Sequence, residues 1–334
     1  MTSRGGIDLG GTKIQAVIVG ARNRVTGQAR RPTPTAGGPP DVAAALAETL
    51  RDAAQQAGID TSDLSGVGVG SPGEIDAKHG AVSQARNLPG WDGSYPLGLE
   101  LSRAVGVPVF LGNDVQVATN AEFELGAAKP YSSVLGVFWG TGVGGGIVLD
   151  GKPWTGRGAA GEIGHVVIKL GGARCPCGRR GCMEAYAGRA AMEAKARRKL
   201  EQGSDTKLFA IMEKRGRTRL TSGVWERAVD KGDELAIELV ERAIRALGAG
   251  VASACNVLDV EAVVIGGGLG VRFGEEYVRR IERAMTPHLF ASDHPPAVAL
   301  VELGDLGGAI GAALLVPARK VSTPRVARVR SAAE

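Results

Sequence analysis

The sequence predicts an α/β protein. Apolar runs alternate with helix-periodic segments along the chain, the pattern of strands alternating with helices. Glycine-rich turns follow or separate several of those runs, and the short strand at 107–111 delivers Gly112, Asn113 and Asp114 at its end. Open α/β sheets place their ligands at such carboxyl ends. A chain of 334 residues has room for about two domains of roughly 150 residues each.

Taken in order, residues 5–11 and 14–20, GGIDLGG and IQAVIVG, read as the two strands of a hairpin. Residues 41–57 have helical spacing with Asp41 as an acidic N-cap, and Gly58 stops the helix. A buried strand at 66–70 precedes the one at 107–111, and a helix over 115–125 follows it. The second half holds a hairpin at 134–149, helices at 190–200, 233–257 and 275–284, and a strand at 262–265 that runs into Gly266, Gly267 and Gly268. Residues 200–231 are charged and irregular and read as a peripheral insertion.

Composition is that of an ordinary intracellular protein. Four cysteines and no apolar segment before Asp8 point to a reducing cytoplasm rather than secretion. Residues 130–149 are uncharged, but six glycines interrupt them, so a buried strand pair explains them better than a membrane span. The net charge of +5 resides mostly after Pro317, where Arg319, Lys320, Arg325, Arg328 and Arg330 face Glu334 alone. That segment, 317–334, reads as a flexible solvated tail rather than a nucleic-acid arm.

Three glycine-rich turns recur. The first is Asp8-Leu9-Gly10-Gly11-Thr12-Lys13, the second Gly140-Thr141-Gly142-Val143-Gly144-Gly145-Gly146, the third Gly266-Gly267-Gly268-Leu269. Residues without a Cβ let backbone N–H groups approach an anion closely, and the two threonines add hydroxyl donors. The second turn formally matches a dinucleotide fingerprint, yet Ile147-Val148-Leu149 continues as a strand where that fingerprint needs a helix. Each turn alone is more often a tight bend; two strand-Gly-Thr turns in one chain favour phosphate. The third turn could border a nucleotide's adenosine.

Residues 161–188 crowd Cys175, Cys177 and Cys182 together with His165. These are four soft or borderline donors of the kind a tetrahedral zinc prefers. The alternative is a set of buried or disulfide-forming thiols. A bridge between Cys175 and Cys177 would close a very tight loop, whereas Gly178 and Gly181 relax the turn as metal knuckles require.

DLGGTK at residues 8–13, the Asn113-Asp114 pair, GTGVGGG from Gly140, GEIGH from Gly161 and CPCGRRGCMEAYAG from Cys175 together resemble the family that groups repressors, open reading frames and sugar kinases, ROK. The resemblance spans Gly5 to about Leu315 and is most similar to the bacterial ATP-dependent glucokinases. It implies the actin-like ATPase fold, two ribonuclease H-like domains closing on ATP and a sugar. The small domain is expected over 1–112, completed by a final helix at about 305–316, and the large domain over 113–304. No winged DNA-binding segment of the repressor members is expected, and the zinc motif that polyphosphate-dependent glucokinases generally lack is retained. A homo-oligomer, dimer or tetramer, is also implied, with no nucleic-acid or membrane partner.

Phosphoryl transfer asks a protein mainly for positioning, charge stabilisation and a carboxylate to accept the proton of the attacking hydroxyl. Asp114 is the candidate base, as the resemblance implies; a plain helix N-cap is the competing role for such a residue. A hexose displays hydroxyls around a ring, so its pocket wants carboxylates and amides. Asn113, Glu162, His165 and Glu184 match family positions that contact sugar hydroxyls, and Asn87 either adds a contact or serves as a turn residue. His165 carries two roles at once, one ring nitrogen toward zinc and the other toward a sugar oxygen or carboxylate. Asp8 suits Mg²⁺, which takes one or two protein oxygens and keeps several waters. Gly10, Gly11, Thr12 and Lys13 with Gly140, Thr141 and Gly142 would hold the ATP phosphates, and Gly267 and Gly268 the nucleoside. The expected activity is ATP-dependent phosphorylation of glucose at the 6-hydroxyl. Fructose, mannose, allose or N-acetylmannosamine are alternative substrates, and a sugar-responsive regulator is the alternative class.

Overall fold

In a computed structural model, which describes residues 3–85 and 87–317, the first apolar run turns back on itself. Strands β1 (Arg4–Leu9) and β2 (Lys13–Val19) pair antiparallel, with Leu9 opposite Ile14, and β3 (Val25–Pro32) continues the meander. Helix α1 (Pro39–Gln56) packs Val42, Leu46 and Leu50 against this sheet. Its start differs from the sequence expectation. Gly38 is the N-cap, Pro39 and Pro40 occupy the first turn, and Asp41 reaches back to accept the Gly38 N–H at 2.8 Å. Proline suits that turn because it has no N–H to leave unsatisfied.

Strand β4 (Val67–Ser71) then lies parallel to β1, followed by a small hairpin of β5 (Glu74–Asp76) and β6 (Ala81–Ser83), helix α2 (Leu97–Val105) and strand β7 (Val109–Asn113). The first sheet has the order β3-β2-β1-β4-β7. Helix α3 (Asp114–Leu125) leaves β7 directly and leads to the second sheet. There β8 (Val134–Trp139) and β9 (Val143–Leu149) form the expected hairpin, and β10 (Lys152–Pro153) adds a short edge.

The middle of the chain is helical: α4 (Glu184–Ala187), α5 (Arg189–Glu201), α6 (Leu208–Lys214), α7 (Ser222–Asp230) and the long α8 (Glu234–Leu258), capped by Asp233 at the Ala236 N–H. Strand β11 (Ala262–Gly266) runs into α9 (Gly267–Met285), and β12 (Ala297–Leu300) precedes α10 (Gly307–Leu314). The second sheet is ordered β10-β9-β8-β11-β12, an antiparallel start followed by parallel strands, so it repeats the plan of the first. No helix of the described residues is long and apolar enough to cross a membrane.

One expectation changes here. Residues 200–231 are not an irregular periphery: α6 and α7 bury Leu208, Ile211, Met212, Val224 and Trp225 in the same core as Leu135, Val263 and Leu247. Helix α9 is broken at Gly274, where φ is 70°, so the helix expected at 275–284 is its second part and a shorter first part opens at Gly267. The basic segment expected as a tail lies outside the described residues from 318 onward.

Helices α3 and α10 hold the two sheets together. Gln116 of α3 exchanges hydrogen bonds with the backbone of Ile147 in β9, accepting its N–H at 3.1 Å and donating to its carbonyl at 3.0 Å. Helix α10 returns to the first sheet so closely that a Cβ at Gly6 or Gly68 would collide with the carbonyls of Ala309 and Ala312. Glu122, buried at the far end of α3, accepts N–H groups from Ala127, Glu302 and Leu303.

Candidate active site

The parallel register sets the site. Asp8 lies opposite Gly70 in β4, which in turn lies opposite Gly112 in β7. Asp8 therefore sits level with the end of the strand that delivers Asn113 and Asp114. Asn113 is the N-cap of α3, its side-chain oxygen accepting the N–H groups of Val115 and Gln116, both at 3.1 Å. Capping thus falls to Asn113, and its amide NH₂ remains available to donate. Asp114 is the first residue of the helix, and its carboxylate accepts the Val115 N–H at 2.9 Å.

Both carboxylates are partly accessible yet strongly perturbed. Burial pushes Asp114 up to about 7, the nearby Asp8 and Glu162 add to the rise, and the Val115 N–H works against it. Burial likewise pushes Asp8 up to about 6, with Lys13 opposing and Asp305 adding. A desolvated carboxylate next to a second one is the usual physical signature of a tuned acid–base site.

The first two glycine turns border this pair, and the third adjoins the second. The first follows β1, and Asn87 backs onto it, with its amide nitrogen 3.1 Å from where a Cβ on Gly11 would stand. Lys13 is already engaged, its ammonium 3.2 Å from Asp305 just ahead of α10. The second turn follows β8 and leaves Thr141 exposed. The third follows β11, whose Gly266 pairs with Phe138 of β8, so the second and third turns are neighbours. Gly267 takes φ 78° and presses against Trp139, where a Cβ would lie 2.6 Å from the Trp139 carbonyl oxygen.

A chain of polar contacts joins the cysteine segment to the second turn. Glu162 is exposed; its carboxylate lies 3.8 Å from His165 Nε2. His165 Nδ1 is 3.7 Å from the Cys175 sulfur, which is 3.7 Å from Glu184 Oε1. Glu184 Oε2 accepts the Val143 N–H at 3.0 Å. The donor atoms of His165, Cys175, Cys177 and Cys182 all lie within 4.8 Å of one another, and the four cysteines of the chain are free thiols. Around a tetrahedral zinc, neighbouring sulfurs stand about 3.8 Å apart, given Zn–S bonds of about 2.3 Å. The Cys177–Cys182 separation is 3.7 Å. Although burial opposes it, hydrogen bonds from Arg179 hold the Cys177 thiol down to about 6, while burial pushes Cys175 and Cys182 up. The donor set and spacing fit one tetrahedral soft-metal ion, whose binding would release the remaining thiol protons.

Motif reading did not single out Arg189, Asp305 or Ser222. Arg189 donates to the Thr141 hydroxyl at 2.7 Å, and Ser222 approaches Gly268. None of the three belongs to a glycine turn or to the cysteine cluster, and only the fold brings them there.

Two repeated sheets with paired carboxylates and glycine turns at their strand ends have the plan of the actin-like ATPase fold, here that of a sugar kinase. The ROK family pattern matches residues 4–319, and the chain belongs to that family. A glucokinase of Thermotoga maritima is 35% identical over 274 residues, covering 81% of this chain and 83% of that one. An N-acetylmannosamine kinase of Haemophilus influenzae is 33% identical over 311 residues, covering 93% and 94%. The crystal structure of a ROK family glucokinase from Streptomyces griseus in complex with glucose and AMPPNP superposes with a TM-score of 0.79 at 30% identity, covering 94% of this chain and 98% of that chain.

Proposed function

We propose that the protein transfers the terminal phosphoryl group of ATP to the 6-hydroxyl of glucose, with Asp114 as general base. The observation that carries this reading is a carboxylate held at about 7 beside a second carboxylate, at strand ends bordered by glycine turns. As the hydroxyl oxygen attacks phosphorus, its proton passes to Asp114 and the bond to the leaving ADP oxygen breaks. The Asn113 NH₂, Glu162, His165 and Glu184 orient the sugar hydroxyls. Backbone N–H groups at Gly10, Gly11, Gly140 and Gly142, with the Thr12 and Thr141 hydroxyls, receive the phosphates. Asp8 would hold Mg²⁺, which neutralises phosphate charge when bound. His165, Cys175, Cys177 and Cys182 would hold a structural zinc, since four protein ligands leave no open coordination position. The unit 1–112 with 305–316 closes against 113–304 around the substrates, and the protein is a homodimer.

Support for glucose comes from the glucokinase relatives; the N-acetylmannosamine kinase similarity supplies the rival. Epimers differ by one hydroxyl, so selectivity rests on side-chain geometry. ADP release measured with glucose, fructose, mannose, allose and N-acetylmannosamine decides between them. The expected result is fastest turnover with glucose. No turnover with glucose beside brisk turnover of the N-acetylated sugar would sink the glucose assignment.

A pH dependence follows from Asp114. The base works only when ionised, so kcat/KM should fall about tenfold per unit as pH drops below the region of 7 and level off above it. A profile flat from pH 5 to 8, read by initial rates at constant free Mg²⁺, would exclude a base of this kind.

A further inference from the structure

Arg189 is a cation next to the second glycine turn that the proposed mechanism leaves without a role. It opens α5, and the backbone fixes it there: its N–H donates to the Gly140 carbonyl at 3.1 Å, and the Ala190 N–H donates to the Thr141 carbonyl at 3.0 Å. The partly buried guanidinium then folds back over the second turn. One amino group donates to the Thr141 hydroxyl at 2.7 Å and the other to the Leu220 carbonyl at 2.8 Å.

Leu220 is itself anchored, because its N–H donates at 3.0 Å to Glu193, a buried carboxylate that also pairs with Arg197 and Arg219. Two residues on, the Ser222 hydroxyl lies 3.2 Å from where a Cβ on Gly268 would stand. One arginine therefore ties the second glycine turn to the segment that borders the third.

The chemistry of the Thr141 contact is asymmetric. A threonine hydroxyl has one hydrogen to give and two lone pairs, whereas a guanidinium only donates. The bond from Arg189 uses Thr141 as acceptor, which leaves the hydroxyl hydrogen free to be given elsewhere from an exposed side chain. The planar fork matters, since a lysine presents a single point charge and does not hold two acceptors at a fixed angle.

We propose that Arg189 is a positioning residue for the phosphoryl donor: by gripping Thr141 and Leu220 together, it presets the Thr141 hydroxyl as a donor to the phosphates of a nucleoside triphosphate. This inference rests on the reading of the second turn as a phosphate site in a sugar kinase, and it identifies the group that organises that site.

The experiment is direct titration of MgATP into full-length wild type, Arg189→Met, Arg189→Lys, Thr141→Val, Thr141→Ser and the Arg189→Met/Thr141→Val double variant, with KM for MgATP and for the hexose measured in parallel. Loss of a charge-assisted hydrogen bond predicts MgATP binding weaker by about tenfold or more in Arg189→Met and Thr141→Val. Hexose KM should stay unchanged, Thr141→Ser should bind like wild type, and Arg189→Lys should remain impaired. Because both residues act on one path, the double variant should be no worse than the poorer single. Unchanged MgATP affinity in Arg189→Met overturns the proposal, as do losses that multiply in the double variant or equal losses of MgATP and hexose affinity. A wild type that binds MgATP in this Arg189-dependent way but phosphorylates no hexose supports the proposal and sinks the hexose-kinase reading. A wild type that binds no MgATP overturns both.

Discussion

Asp114→Asn is expected to lower kcat on the order of a thousandfold or more while leaving hexose binding nearly intact. General-base catalysis supplies about 10² to 10⁴ in rate, and an amide keeps the size and donor–acceptor character of the side chain while losing the proton acceptor. Asn113 keeps its cap on α3 in this variant, so the helix start is preserved. A second effect should accompany the first. The folded pKa of Asp114 is raised from 3.8 to about 7, so the stability linked to this group is fully present below the unfolded value and is lost as pH rises through about 7. Removing the ionisable group should therefore raise the unfolding midpoint of the variant above that of wild type at pH 8, with little difference near pH 4. Steady-state kinetics and thermal unfolding on the same preparation test both halves, and a variant that retains most of its kcat removes Asp114 from the mechanism.

Cys177→Ser is expected to abolish stoichiometric zinc and to damage hexose affinity. The clip holds His165 on one side and leads to Glu184 on the other, both assigned to the sugar. Structural zinc contributes on the order of 10 kcal/mol to a small metal-folded peptide; here the second sheet has a large core of its own, so the protein should remain folded. MgATP affinity should suffer less, although the Glu184 contact to the Val143 N–H gives the disturbance a route to the second glycine turn. Metal analysis with hexose and MgATP titrations reads the outcome. A zinc-free variant with unchanged hexose KM would show that the clip does not organise the site.

Much of the candidate site is legible in the sequence because its chemistry is contiguous. Asp8 with the first turn, Asn113 with Asp114, and the cysteine cluster with Glu184 each fall within a few residues of a strand end or a turn, where type and spacing alone carry meaning. The helices α6 and α7 were hidden for a physical reason. Their buried residues do follow helical spacing, 208, 211, 212 and 224, 225, 228, but Lys, Arg and Gly between them dilute the pattern. The first part of α9 reads only as a weak helix because glycines crowd its start, and Gly267 is glycine because it abuts Trp139. Asp41 reads as a cap in sequence, whereas Gly38 is the N-cap and Pro39 sets the first turn. Lys13 reads as a phosphate ligand from its turn alone, and only the fold shows Asp305, some 290 residues later, beside it. Arg189 and Ser222 belong to no local motif, and only the fold brings them to the turns.

A crystal structure of the protein with glucose and a non-hydrolysable ATP analogue tests the central assignment most directly. The predicted result is an Asp114 carboxylate oxygen within about 2.6–3.2 Å of the glucose 6-hydroxyl, with the terminal phosphate next to that hydroxyl and contacted from the turns at Thr12 and Thr141. A complex in which Asp114 meets no sugar hydroxyl, or meets one that is remote from the terminal phosphate, would contradict it.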